Sequence, residues 1–146
     1  MRTAYVFTSR AIALLVLFQA AVIAFGVFDL AKTVEDDGSI DKSTAEDLVG
    51  LSLHGIGAMV LSVLVILLLI FSFFTKVPGA VRWALIVFGV TVLQWVFAIV
   101  AFSVPAIGLL HGLNAFAVAA TAGIAGRVVS TGGATTPAAA EPAPAA

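Results

Sequence analysis

The chain contains no cysteine. This excludes disulfides, thiolate-held zinc, iron–sulfur clusters and haem attached covalently through Cys-x-x-Cys-His. Charge is scarce too. Only 10% of the 146 residues are Asp, Glu, Lys or Arg, and the net charge is −1. The few charges are segregated along the chain, so no basic stripe for nucleic acid exists. Histidine is rarer still, with two in the whole chain. No Ser-His-Asp order can be assembled around them, and "GLNAF", with a single glycine, is no phosphate cradle. No catalytic motif is present, so a non-enzymatic carrier or accessory subunit is expected over an enzyme.

What remains is apolar. Hydrophobic residues make up 62% of the chain, and its mean hydropathy is +1.18. A soluble domain of this length cannot hide that much apolar surface, so the expected solvent is lipid. Four stretches reach the 17–25 residues, or about 20, that a membrane-crossing helix needs: roughly 8–30, 48–74, 82–103 and 105–126. The expected fold is therefore an all-α, up-down-up-down four-helix bundle spanning a membrane.

The links between these stretches are readable. "KTVEDDGSIDKSTAED" is a polar loop with turn-forming Gly38 and Ser39, and Ser43 or Thr44 suits the N-cap of the second helix. Pro78-Gly79 marks the next turn, and Pro105 fits the first turn of the fourth helix. Residues 128–146, rich in Ala, Pro and Thr, are expected to form a disordered tail.

Arg2, Arg10, Lys76, Arg82 and Arg127 fall on one side of this layout, and Lys32 and Lys42 on the other. By the positive-inside rule both termini are expected to face the cytoplasm, and the expected location is the cytoplasmic membrane. Seven of the eight acidic residues, Asp29 to Asp47, lie on the outer side. The competing reading of the start is a cleaved signal peptide, with Arg2 and Arg10 before the apolar run Ala11 to Phe28. That run is long for a signal core, and no clean small-x-small site follows it.

An internal repeat organises the polar residues within the spans. "VLFQAAVIAFGVF" (16–28) and "TVLQWVFAIVAFS" (91–103) each carry one Gln in an apolar run. "SLHGIGAM" (52–59) and "LLHGLNAF" (109–116) each carry Leu-His-Gly-x-x-Ala. The chain thus reads as two parallel helical hairpins, Gln on the first arm and His on the second. Counted from the outer helix ends at 1.5 Å per residue, His54 and His111 share a depth of about 9–10 Å, with Gln19 and Gln94 about one turn deeper.

An ionisable side chain inside a membrane points to function. Two histidines at one depth, on diagonally facing helices, are placed to hold a flat cofactor between them. A b-type haem is held so, with one neutral imidazole on each face of the iron. Gly50, Gly57 and Ala58 share a face with His54, and Gly108, Asn114 and Ala115 with His111. Their small size leaves room for a macrocycle, and Ser52, Asn114, Gln19 and Gln94 are placed to orient the imidazoles or the ring edge.

Plainer readings stand beside this one. Small residues on membrane helices also serve close packing, and Gln, Asn and His serve as interhelical hydrogen-bonding glue. A proton or quinone site is a further alternative for the pair. Zinc is poorly served by two histidines without carboxylate or thiol. Haem propionates usually find a cation, and the outer side offers only Lys32 and Lys42. Trp83 reads as an interface anchor and Trp95 as a packing residue. Transport finds little support, since no acidic residue lies in mid-membrane and no helix is interrupted.

"LQWVFAIVAF … LLHGLNAFAVAATAGIAGR" resembles a group of small, largely uncharacterised bacterial four-helix membrane proteins, across roughly residues 8–127. Their last helix opens with a similar Leu-His-x-Leu-Asn, and the resemblance carries no activity. The architecture is also similar to one half of haem A synthase, a four-helix bundle with a histidine in its second and fourth helices. His54 and His111 occupy matching places. The synthase ligands sit in a Glu-x-x-His-Arg-like context, from which "GLSLHG" (50–55) departs, so the resemblance implies a haem-holding bundle and not a synthase. The expectation is a haem b carrier for electron transfer, with other membrane redox subunits as partners. The alternative is a cofactor-free accessory or assembly subunit of a larger membrane complex.

Overall fold

Helix α1 runs over Arg2–Asp37, α2 over Val49–Ser72, α3 over Ala80–Ala101 and α4 over Ile107–Ser130. The structure is a computed structural model and describes residues 1–41, 43 and 47–132. Among these residues there is no strand. Each helix is long and apolar enough to cross a membrane, which makes this a multi-pass membrane protein. Helices satisfy their own backbone hydrogen bonds, the condition for lying in hydrocarbon.

The helix ends differ from the hydropathy reading. α1 extends from 8–30 to Arg2–Asp37. A helix need not stop where its apolar run stops, and no proline interrupts residues 2–37. Lys32 and Asp36, one turn apart, pair on the polar extension. The stop is Gly38, left-handed at φ 74°, whose N–H donates to Val34 O at 2.9 Å.

Ser43 does not cap α2. That helix begins after Leu48, which makes no side-chain cap bond, while Ser43 Oγ donates to Asp41 Oδ1 at 2.7 Å. Thr44 lies outside the described residues. Pro105 precedes α4 instead of entering its first turn, its carbonyl accepting from Gly108 N at 2.9 Å. Residues 128–130, expected in the tail, are the last of α4, and 133–146 lie outside the described residues. The turn at Pro78-Gly79 is where the sequence puts it, with Gly79 at φ 85°.

α1 packs against α2 and α4, α3 packs closely on α4, and the α2–α3 contact is looser. α2 and α4 are therefore diagonal. The apolar core of Tyr5, Ile12, Val16, Leu61, Val65, Leu68, Ala84, Val87, Val118, Ala122 and Val129 lies in the half of the bundle that carries both described chain ends. Tyr5 Oη donates to Ala80 O at 3.0 Å and seals that half. In the other half the hairpins part. No residue of α3 beyond Thr91, and none of α4 before Val118, is buried. The outward faces are apolar, with Phe7, Phe28, Phe102 and Phe116 all exposed, and suit contact with lipid.

Glycines set the closest helix approach. A Cβ on Gly50 would overlap the backbone of Gly26, and one on Gly126 would overlap Ser9 Oγ. The α1–α2 and α1–α4 seams therefore admit no side chain at those points.

Candidate functional site: a histidine pair where the hairpins part

Each histidine is anchored on the glutamine of its own hairpin. In the α1–α2 pair, Gln19 Nε2 donates to His54 O at 2.6 Å, and His54 Nδ1 faces Gln19 O at 3.3 Å. In the α3–α4 pair, Gln94 Nε2 donates to His111 O at 3.0 Å, and His111 Nδ1 faces Gln94 O at 3.1 Å. Two reciprocal bonds thus clamp each pair of helices at one level. The depth expectation changes accordingly: each glutamine lies across from its histidine, not a turn deeper. Counting from helix ends assumes that the ends share a plane, and α1 runs on to Asp37.

These contacts determine the tautomer. A backbone carbonyl only accepts, so both Nδ1 atoms carry the proton. In a neutral imidazole Nε2 then holds the free lone pair. On His111 this nitrogen accepts from Gln94 Nε2 at 3.1 Å, while His54 Nε2 has no hydrogen-bond partner among the described residues.

The rings meet across the bundle. Their centroids are 6.3 Å apart and their planes lie at 66°. Both histidines are half-buried, at the point where the apolar core ends.

The position three residues after the histidine sets the two halves apart. Asn114, three residues after His111, donates to Gln94 Oε1 at 2.7 Å and to Val90 O at 2.9 Å. Asn114 thereby positions Gln94, and through it His111. Three residues after His54 stands Gly57, where a Cβ would overlap the Gln19 carboxamide. With no asparagine there, the buried Gln19 Oε1 accepts no hydrogen bond from any described residue.

The small-residue faces divide into two uses. Gly50 and Gly57, expected to make room beside His54, are filled by Gly26 and Gln19 and serve packing. Space is found instead at Gly55, Gly108 and Gly112, where a Cβ would meet nothing within 4 Å. Ser52 lies on the exposed face of α2. The sequence reading missed Ser62, whose Oγ accepts from Trp95 Nε1 at 3.0 Å across the loose α2–α3 seam. A serine one turn beyond the small-residue run was the available signal. Lys32 is paired with Asp36 beyond the span, and Lys42 lies outside the described residues.

Fold and site together define a class: a multi-pass four-helix membrane protein with one imidazole pair clamped between its helices. No protein-family model, curated protein or solved structure matches the chain.

Proposed function

We propose that the protein holds one b-type haem between His54 and His111 and passes electrons to other membrane redox subunits. The observation that carries this reading is the ring pair itself. A metal–imidazole bond is about 2.0 Å, so two imidazoles on opposite sides of one metal have centroids about 6 Å apart. The ring separation of 6.3 Å suits that arrangement. The tautomer suits it as well, because Nδ1–H bonded to a carbonyl is the usual outer-sphere support of a metal-binding Nε2.

The donor set favours a porphyrin over a bare ion. Among the described residues no group of three or more His, Cys, Asp and Glu could hold a metal. A haem would bring most of its iron's nitrogen donors with it, so His54 and His111 would be the only ligands asked of the chain. Gln94 Nε2 has two acceptors, so it can release His111 Nε2 and stay bonded to His111 O. Gly108, one turn before His111, has open space where a side chain would stand. When bound, the haem would supply one-electron chemistry. The chain's part is to orient both imidazoles.

In this reading the chain is two parallel hairpin repeats, supported by the matched Gln–His clamps. The segregation of basic residues supports cytoplasmic termini and a cytoplasmic membrane. A second reading, a cofactor-free accessory subunit, is favoured by the bond from Gln94 Nε2 to His111 Nε2, which would make the pair interhelical glue.

The test is a reduced-minus-oxidised absorption spectrum of detergent-purified protein from haem-replete cells. A Soret and an α band are expected, both lost in His54→Ala and His111→Ala variants that still purify as helical monodisperse protein. A colourless wild-type protein would sink the haem reading and leave the glue.

A further inference from the structure

The end of the bundle far from the histidines is strongly basic. Arg2, Arg10, Lys76, Arg82 and Arg127 gather there, and among the described residues no carboxylate lies at that end. Between α1 and α4 at this end runs a groove of about 380 Å³, lined by Arg2, Thr3, Val6, Phe7, Arg10 and Ser130.

The two arginines of the groove are held differently. Arg2 Nη2 donates to Ser130 O at 2.7 Å, one of the last carbonyls of α4, which fixes the guanidinium across the seam. Its other N–H groups make no hydrogen bond with any described residue. Arg10 makes no hydrogen bond or ion pair with any described residue. It also stands at the edge of the apolar run that begins at Ala11, where an uncompensated charge borders hydrocarbon.

Depth selects the ligand. Arg10 and Arg2 are eight positions apart, or about 12 Å of helix. The headgroup layer of one leaflet is about 5–7 Å thick. Arg10 at the hydrocarbon edge and Arg2 beyond it thus bracket the layer in which lipid phosphates lie. Phe7, 73% exposed, and Val6 lie between the two arginines and give the groove an apolar wall. Guanidinium donors match phosphate oxygens two at a time, which free ammonium groups do not.

We propose that this groove binds the phosphate of an anionic membrane lipid, with Arg2 and Arg10 as its cationic contacts and Val6 and Phe7 against the apolar surface next to that headgroup. The assignment is independent of the haem reading.

Native mass spectrometry of the full chain from detergent tests it, using phosphatidylglycerol and phosphatidylcholine with identical acyl chains. Wild type is expected to retain one phosphatidylglycerol in marked preference to phosphatidylcholine. One basic residue near an anionic surface is worth about 1 kcal/mol, or about fivefold. Arg2→Gln/Arg10→Gln should therefore weaken retention about thirtyfold, and Lys76→Gln/Arg82→Gln should leave it unchanged. If loss of the Arg2–Ser130 bond unfolds the double variant, Arg10→Gln alone carries the test, with about a fivefold loss. Equal retention of both lipids, unchanged retention in Arg10→Gln, or an equal loss in Lys76→Gln/Arg82→Gln would overturn the proposal. So would inorganic phosphate that displaces the lipid at equal concentration, since the site would then recognise the free ion.

Discussion

At the scale of single residues, chemistry and packing are separable at neighbouring glycines. Gly55 and Gly57 stand on the same helix, one turned to open space and the other against Gln19. Gly55→Ala should leave stability unchanged or raise it slightly, because alanine is the better helix former. Gly57→Ala must push the Gln19 carboxamide away and break its bond to His54 O. Overpacking of this kind costs about 1–3 kcal/mol. Thermal unfolding in detergent should show a clear drop for Gly57→Ala alone, and equal melting of the two variants would refute the placement of Gln19. Asn114→Ala should act on the other half, freeing Gln94 from its amide partner at a cost of about 1 kcal/mol. If haem is bound, that variant should shift its spectrum without abolishing it, since Asn114 touches Gln94 and not the imidazole.

At the scale of elements, each hairpin is a pair of helices locked by one Gln–His clamp, and in the first hairpin by glycine contact as well. Lipid tails are as apolar as leucine, so association here rests on close packing and hydrogen bonds. The α1–α2 seam depends on Gly26 meeting Gly50. Gly50→Val should force these backbones apart and misalign Gln19 with His54, with a stability loss of about 2 kcal/mol or more. Cysteine pairs engineered where α1 ends and α2 begins should crosslink more slowly in that variant. Crosslinking at the wild-type rate would show that the seam tolerates a side chain.

At the scale of the whole molecule, packing is uneven along the membrane normal. Val65, Val87 and Val118 are almost fully enclosed, whereas Phe102 is 93% exposed. Val87→Ala should therefore cost about 1 kcal/mol in lost contacts, and Phe102→Ala close to nothing despite the larger side chain. Melting temperatures in one detergent decide this, and a larger loss at Phe102 would place a partner on that face. The tight half holds the bundle together while the parted half presents the histidines.

Much of this was legible in the chain itself. Four apolar runs, their turns and the segregation of charge follow from composition, because the membrane imposes span length and backbone satisfaction on any sequence. The two Leu-His-Gly-x-x-Ala stretches and the two glutamines also stand out, because polar groups are few in so apolar a chain. Tertiary structure decided the rest. That Gln19 meets His54, that Gly50 and Gly57 are filled while Gly55 and Gly108 are open, and that the imidazoles approach to 6.3 Å all depend on the register between helices. Register is set by which backbones can come close and by where each helix begins and ends. Hydropathy reports neither, since α1 overruns its apolar stretch at both ends and a glycine reads the same whether it faces a neighbour or open space.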